Sequence, residues 1–191
     1  DRLDRWLRQA LHEANLAVYD HSRSDPDVFG CQSTASALLF REDSCVIAHA
    51  GDCRVYRIRG DAVEQRTTDH TRAAEMVRLR ILTPEQALHH PARSQLTRSL
   101  GAEVMVHVDV VRDTLRQGDV YVVCSDGLWN EVSRAEVAAA VREAAPAEAA
   151  EELLDLALNR EASDNVTVVV VRIDSVEPAS AERSRRWLPW R

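Results

Sequence analysis

Hydrophobic and polar positions along the chain follow two periods, one typical of amphipathic helices and one typical of strands. A stripe of Leu3, Leu7 and Leu11 recurs at helical spacing and predicts a first helix over about 2–20. Alternating or continuous apolar runs predict the strands. These runs occupy 34–40, 44–50, 53–58, 62–65, 104–112, 119–124 and 165–173.

Two helices are predicted between the last two strands. Ser133 and Glu136 have the spacing of a capping box, which opens a helix ending near Glu143. Pro146 opens the next helix, which extends to about Asn159. Because strands and helices are grouped instead of alternating, the pattern favours an α+β layered sandwich over a βαβ fold.

Residues 67–100 interrupt the strand pattern. Their apolar density is low, and they contain few β-branched runs. The stretch Thr83-Pro84-Glu85-Gln86 combines a capping box with proline at the first helical position, which predicts a helix start. We therefore expect an insertion of short helices and loops between two β regions.

Length, charge and cysteine usage narrow the class of protein. The 191 residues suit one domain, and the net charge of −7 argues against a nucleic-acid-binding protein. No apolar run is long enough for a transmembrane helix. No C-x-x-C occurs, so a thiolate zinc site is not predicted. Cys45, Cys53 and Cys124 are predicted to be small buried hydrophobic residues, which fits a cytoplasmic protein.

Three aspartates stand where strands are predicted to begin or end. Asp126 follows the strand 119–124, and Asp164 precedes the strand 165–173. If these strands are antiparallel neighbours, the two carboxylates meet at one sheet edge. Asp52, at a predicted hairpin corner, could reach the same edge. Converging carboxylates repel one another unless a cation lies between them, and Mg²⁺ and Mn²⁺ prefer oxygen ligands. Ordinary turn chemistry explains aspartates beside glycine or asparagine equally well, so spacing alone leaves both interpretations open.

Six short stretches, in the same order as in a known family, resemble the metal-dependent serine/threonine protein phosphatases of type 2C, especially their compact bacterial branch. The stretches are G-C-Q-S-T-A (30–35), A-H-A-G-D-C-R-V-Y-R (48–57), T-T-D-H-T (67–71), L-T-R-S-L-G (96–101), V-C-S-D-G-L-W-N-E-V (123–132) and S-D-N-V-T-V-V-V (163–170). The resemblance covers roughly 20–173. It implies a four-layer α-β-β-α sandwich, in which two antiparallel sheets are flanked by helices.

The resemblance also implies a site and a reaction. Asp126 and Asp164 are similar in position to ligands of one metal of a binuclear Mn²⁺ or Mg²⁺ centre. Asp52 is similar to a ligand of a third, loosely held ion that Asp126 shares, and Asn165 is expected to steady the turn. Residues 67–100 resemble the family's flap, which borders the cleft. A metal-activated water would hydrolyse phosphoserine or phosphothreonine on proteins modified by a Ser/Thr kinase, and the phosphate-binding residue is unknown.

Two family motifs do not occur in these 191 residues. One is Arg-x-x-Asn-Glu-Asp, whose Arg holds the substrate phosphate in the family. The other is Asp-Gly-x-Gly-Gly, whose Asp bridges the two core metals. We therefore expect an N-terminally truncated phosphatase domain over 1–173 that lacks its first strands and is a poor enzyme alone. A non-catalytic binding or regulatory module is the alternative if the gene lacks both motifs. The sibling branch that regulates sigma-factor antagonists typically lacks the flap, so 67–101 argue against it.

Several residues have a plain interpretation beside a functional one. His49 is expected to be a packed histidine, and His70 is expected to make a turn or flap contact, with contact to substrate as the alternative. The flap arginines suit a solvated face or a docking surface for phosphoproteins. The tail 174–191 contains Arg and Trp and is expected to be disordered. A membrane contact is expected only if the chain continues beyond it.

Overall fold

The computed structural model describes residues 2–24 and 26–177, and these form four layers. The first layer is α1 (Arg2–Ser24). The two middle layers are antiparallel sheets, with strand orders β1-β2-β5 and β4-β3-β6-β7. The strands are β1 (Ala35–Arg41), β2 (Ser44–Ala50), β3 (Arg54–Arg59), β4 (Ala62–Gln65), β5 (Asp109–Thr114), β6 (Val120–Cys124) and β7 (Val168–Arg172). The last layer is formed by α5 (Arg134–Glu143) and α6 (Pro146–Asn159), which confirms the α-β-β-α prediction.

Alternating side chains on the strands separate three apolar clusters. On β2, Val46 and Ala48 face α1, whereas Ile47 packs between the sheets. On β6, Val122 packs against α5 and α6, whereas Tyr121 joins the cluster between the sheets. This period of two is the reason that each sheet buries both faces. The sheets are also joined by Phe40 and Tyr121, whose rings make an edge contact at 5.4 Å.

The flap segment, residues 67–100, contains α2 (Arg72–Arg78) and α3 (Pro84–Leu88). Thr83 and Gln86 form the predicted capping box, with both hydrogen bonds present. Bridges between the two ends of the segment, such as the Thr71–Leu96 pairing, close it into a compact unit.

The structure corrects the predicted hairpin corner at Gly51-Asp52. β2 and β3 belong to different sheets, so residues 51–53 carry the chain from one sheet to the other. Gly51 has φ +116°, and a Cβ there would lie 2.4 Å from Thr34. Glycine is therefore required by the backbone angle and by the close approach. The prediction was wrong because two alternating strands joined by a short Gly-Asp link look the same within one sheet or across two.

Smaller differences follow from local packing. The predicted strand 104–112 is β5, which starts later, because residues 104–108 form a loop that buries Val106 and Val108. A short helix, α4 (Asp126–Trp129), follows β6 and was not predicted. Cys45 and Cys124 are buried as predicted, but Cys53 is only half-buried, with its sulfur 3.0 Å from the Thr34 hydroxyl.

Two predictions concern membranes and the tail. No helix in the described part of the chain is long and apolar enough to cross a bilayer. The predicted tail 174–191 lies mostly outside the described residues, which end at residue 177.

Candidate active site

β6 and β7 are antiparallel neighbours, which meets the condition stated for the sequence, and this pairing places Asp126 beside Asp164. Cys124 pairs with Val168 at the end of the ladder. Beyond it, the Ser125 amide donates to the Thr167 carbonyl at 3.1 Å. The Ser125 hydroxyl donates to the Asn165 carbonyl at 3.2 Å. These bonds fix the start of α4 against the turn that carries Asp164.

Gly127 allows the two backbones to come close. A Cβ at this position would lie 2.5 Å from the Asn165 carbonyl oxygen. Since that atom belongs to the backbone, a side chain there would push the Asp126 and Asp164 turns apart. Asn165 contributes its amide, which donates to Asp164 Oδ1 at 2.7 Å, and this agrees with its predicted role in steadying the turn.

Asp52 approaches from the crossover between the sheets and is only 7% exposed. The Trp129 indole N–H donates to the Asp52 carbonyl at 3.0 Å, so α4 and the crossover are joined directly. Burial raises the pKa of Asp52 to about 6, and the charge of Asp126 adds to this effect. The structure therefore brings Asp52 and Asp126 close enough for their charges to interact.

Asp126 lies under the same kind of repulsion. Burial and then the charge of Asp164 raise its pKa, and the positive charge of Arg93 on the flap segment acts in the opposite direction. No basic side chain among the residues with described coordinates forms a salt bridge with Asp52, Asp126 or Asp164. These three carboxylates, here called the unpaired aspartates, interact in two pairs, Asp52 with Asp126 and Asp126 with Asp164, and Arg54 and Arg93 offset this repulsion only in part.

The chemistry of the donor set fits a divalent cation in part. Neighbouring carboxylates whose charges repel are stabilised by a positive ion between them, and hard ions such as Mn²⁺ and Mg²⁺ suit oxygen ligands. However, residues 2–24 and 26–177 contain no group of three or more His, Cys, Asp or Glu side chains arranged to hold a metal ion. The described residues thus supply acidic ligands of the right kind, but not a complete coordination shell.

An arginine stack supports the crossover beside these aspartates. Arg54 lies over the Trp129 ring, with its guanidinium carbon 3.6 Å from the ring centroid. The same guanidinium donates to both carboxylate oxygens of Asp69, at distances of 2.7–3.1 Å. Asp69 is therefore a structural partner of Arg54.

A cleft of about 1070 Å³ lies beside α4 and the residues that follow the crossover. Arg54 and Trp129 line it, but the three aspartates do not. The flap segment forms one wall, and β4 with the start of α5 forms another. Its basic lining residues are Arg54, Arg78, Arg93 and Arg134, and its acidic ones are Glu64, Asp69 and Glu85.

A buried histidine network, which sequence reasoning missed as a unit, lies at the base of the flap segment. His49 is 1% exposed and His70 is 5% exposed, and their rings are 4.7 Å apart. Burial and the neighbouring His70 lower the pKa of His49 to about 4. Burial also lowers the pKa of His70, although Asp109 opposes this effect. The prediction that His49 is packed is confirmed, and His70 makes the predicted flap contact.

The protein phosphatase 2C family model matches residues 2–166 of this chain. The chain belongs to this family. Family members resemble it over most of its length. It is 31% identical over 172 residues to the serine/threonine phosphatase stp of Listeria innocua, covering 90% of this chain and 68% of that protein. It is 35% identical over 167 residues to the serine/threonine protein phosphatase PstP of Mycobacterium tuberculosis, covering 87% of this chain and 32% of that protein.

Solved phosphatase 2C structures share the fold. The crystal structure of the serine/threonine phosphatase Stp1 from Staphylococcus aureus matches with a TM-score of 0.85 at 31% identity, covering 90% of this chain and 68% of that one. The catalytic domain of PstP in complex with two manganese ions matches with a TM-score of 0.75 at 33% identity, covering 88% of this chain and 68% of that one. The four-layer architecture and the phosphatase family predicted from sequence are therefore both confirmed.

Proposed function

We propose that this chain, as part of a full phosphatase domain, hydrolyses phosphoserine and phosphothreonine on proteins in a Mn²⁺- or Mg²⁺-dependent reaction. Family membership supports the reaction class. The observation that carries the proposed metal dependence is that Asp126 interacts with the like charges of both Asp52 and Asp164, while none of the three forms a salt bridge within the described residues. Bound divalent ions would lower the pKa of a bound water and would supply positive charge to the phosphoryl oxygens.

The roles of the protein's own residues follow from their positions. Asp126 and Asp164 would hold ions from the ends of β6 and β7, and Asp52 would contribute from the crossover. Gly127 keeps the first two turns close together. Trp129 holds Asp52 at its carbonyl, so the relative position of all three carboxylates depends on α4. Rigid support of this kind keeps ligands in place before the substrate binds.

The cleft beside α4 is the proposed binding surface for the substrate polypeptide. It runs between the flap segment and the core, and it adjoins Asp52 through Trp129. Arg54 is neutralised by Asp69, whereas Arg78 and Arg93 lie on the flap wall and face a cleft that a phosphoprotein can enter. We propose that the substrates are phosphoproteins modified by a Ser/Thr kinase.

The test is a hydrolysis assay on a phosphothreonine peptide, using the full-length gene product that contains these residues. We expect turnover with Mn²⁺, no turnover with a chelator, and loss of turnover in Asp126→Ala. Asp113→Asn is the matched control, because Asp113 is also an aspartate close to a strand end but forms ion pairs with arginines. Full activity of Asp126→Ala in Mn²⁺ would contradict the proposal.

A non-catalytic phosphopeptide-binding module is a second candidate. It is the function expected if the gene lacks the Arg-x-x-Asn-Glu-Asp and Asp-Gly-x-Gly-Gly motifs, neither of which occurs in these 191 residues. The same assay separates the two functions when peptide binding is measured beside turnover. Binding without hydrolysis at saturating Mn²⁺ would support the module, and hydrolysis would exclude it.

A further inference from the structure

We propose that His70 is a positioning residue that fixes the Gly51–Asp52 crossover and couples it to both ends of the flap segment. The effect of His70 on catalysis rests on the function proposed above. The contact between His70 and Gly51 does not, because it is a feature of the folded chain.

His70 holds both backbone polar groups of Gly51. The His70 amide donates to the Gly51 carbonyl at 2.8 Å. The Gly51 amide donates to His70 Nδ1 at 3.0 Å. Gly51 has a backbone angle that few residues adopt, and the next residue is Asp52. A single flap residue thus completes the hydrogen bonding of the glycine that sets the direction of Asp52.

These partners define the His70 tautomer. Because Nδ1 accepts from a backbone N–H, the ring proton of the neutral imidazole is on Nε2. Nε2 then donates to Asp109 Oδ2 at 3.1 Å. Arg98, which lies 3.1 Å from Nε2, can only donate, so its partner is Asp109 Oδ1 at 2.8 Å. His70 is therefore held in one orientation from both sides of the ring.

The same residue closes the flap segment at its base. The Thr97 amide donates to the His70 carbonyl at 2.8 Å, which joins the end of the segment to its start. Arg98 adds a second link, because it and His70 share Asp109 on β5. His49 packs against the His70 ring and donates from Nε2 to the Thr68 carbonyl at 3.1 Å. His70 thus links the flap base to the Asp52 crossover through both its backbone amide and its ring.

Two substitutions separate the contacts of His70. In His70→Asn, the side-chain oxygen takes the place of Nδ1 and can accept from Gly51, but it does not reach Asp109. In His70→Gln, the longer side chain can reach towards Asp109, but it lacks an acceptor at the Nδ1 position. Both variants lose the packing of the imidazole ring to a comparable extent. A difference between them therefore reports the hydrogen bond to Gly51.

Amide hydrogen exchange of residues 48–53 in metal-free protein is the main measurement. We expect at least about tenfold faster exchange in His70→Gln, since the lost hydrogen bond is worth about 1.4 kcal/mol, and we expect a smaller change in His70→Asn. Equal exchange rates in both variants, whether fast or slow, would overturn the proposal. This readout does not depend on enzyme activity, so it stands or fails separately from the proposed function.

The wild-type protein supplies a second test that needs no variant. A long-range ¹H–¹⁵N correlation spectrum should show His70 as the Nε2–H tautomer, with a hydrogen bond from the Gly51 amide to Nδ1. A proton on Nδ1 would overturn the proposal even if both variants fail to fold.

In the active protein, His70→Gln should raise the Mn²⁺ concentration for half-maximal activity about tenfold, with a smaller change in KM for the phosphopeptide. An unchanged Mn²⁺ requirement would contradict the claim that His70 affects activity by positioning Asp52.

Discussion

Two sets of aspartates close to strand ends have opposite surroundings. Asp119 is fully buried, and Arg59 donates to both of its carboxylate oxygens at 2.7 Å. Asp113 accepts from Arg66 and from the Tyr121 hydroxyl. Burial alone would raise the pKa of Asp119, but the Arg59 hydrogen bonds lower it. These two residues are stabilised as anions by the protein itself.

Two of the unpaired aspartates show the reverse. Asp52 and Asp126 have raised pKa values because burial and neighbouring carboxylates act together. A charge left without a partner at a partly buried site destabilises the fold unless something outside the chain compensates it. All of these residues are aspartates close to a strand end, so it is the neighbouring charges that distinguish the paired aspartates from the proposed ligands.

Removal of one unpaired aspartate should have the largest effect. Asp126→Asn keeps the size of the side chain but loses the charge, so we expect kcat/KM in Mn²⁺ to fall by at least about 100-fold. The metal-free protein should not lose stability, since a repulsive charge is removed. Parallel thermal melts with a chelator check this. A large drop in melting temperature would show that Asp126 stabilises the fold, as Asp113 and Asp119 do.

Removal of one paired aspartate should act on stability. Asp119→Ala leaves the Arg59 guanidinium without its carboxylate, and we expect the free energy of unfolding to fall by about 3 kcal/mol. Urea denaturation measures this loss. The Mn²⁺ dependence of the folded fraction should match that of the wild type. Unchanged stability would show that the Arg59 pair contributes nothing to the fold.

A methyl group at Gly127 should disturb the contact between the two turns without changing any charge. Gly127→Ala places a Cβ 2.5 Å from the Asn165 carbonyl oxygen, so the backbones must separate. We expect a loss of about 2 kcal/mol in stability and weaker Mn²⁺ binding. Gly118→Ala is a control for strain alone, because it has φ +84° but no atom near its Cβ position. Equally weakened Mn²⁺ binding in Gly118→Ala would contradict the claim that Gly127→Ala acts by separating Asp126 from Asp164.

The smallest effect should be a change in pH dependence. The pKa of Asp52 is raised from 3.8 to about 6, so its protonated form stabilises the fold fully below about pH 4, and this stabilisation is lost as pH rises through about 6. In metal-free protein, Asp52→Asn should therefore gain about 1–2 kcal/mol over wild type at pH 7 and almost nothing at pH 4. Denaturation at both pH values measures the difference. A gain that is equal at both would mean that Asp52 has an ordinary pKa.

The sequence was sufficient for the layers and for one side of the candidate site. Apolar runs on 119–124 and 165–173 suggested two core strands, and their pairing places Asp126 beside Asp164. The capping boxes at Thr83 and Ser133 were also predicted, because their hydrogen bonds depend on residues only three positions apart. Local chemistry and strand period thus determine these features.

Features that depend on contacts between distant residues were not predictable. The Gly51–Asp52 link was interpreted as a hairpin, since the choice of sheet for β3 depends on its pairing with β6, more than 60 positions later. The acceptor role of His70 depends on a glycine 19 positions earlier and an aspartate 39 positions later. The pairing of Asp119 with Arg59 also has no local signal.

Direct measurement of Mn²⁺ binding tests the central claim, that the unpaired aspartates hold divalent ions. Electron paramagnetic resonance of free Mn²⁺ gives the bound fraction in wild type, in Asp126→Asn and in the paired control Asp113→Asn. We predict binding by the wild type and by Asp113→Asn, and at least about 100-fold weaker binding by Asp126→Asn. Equal Mn²⁺ affinity in Asp126→Asn and the wild type would contradict the claim.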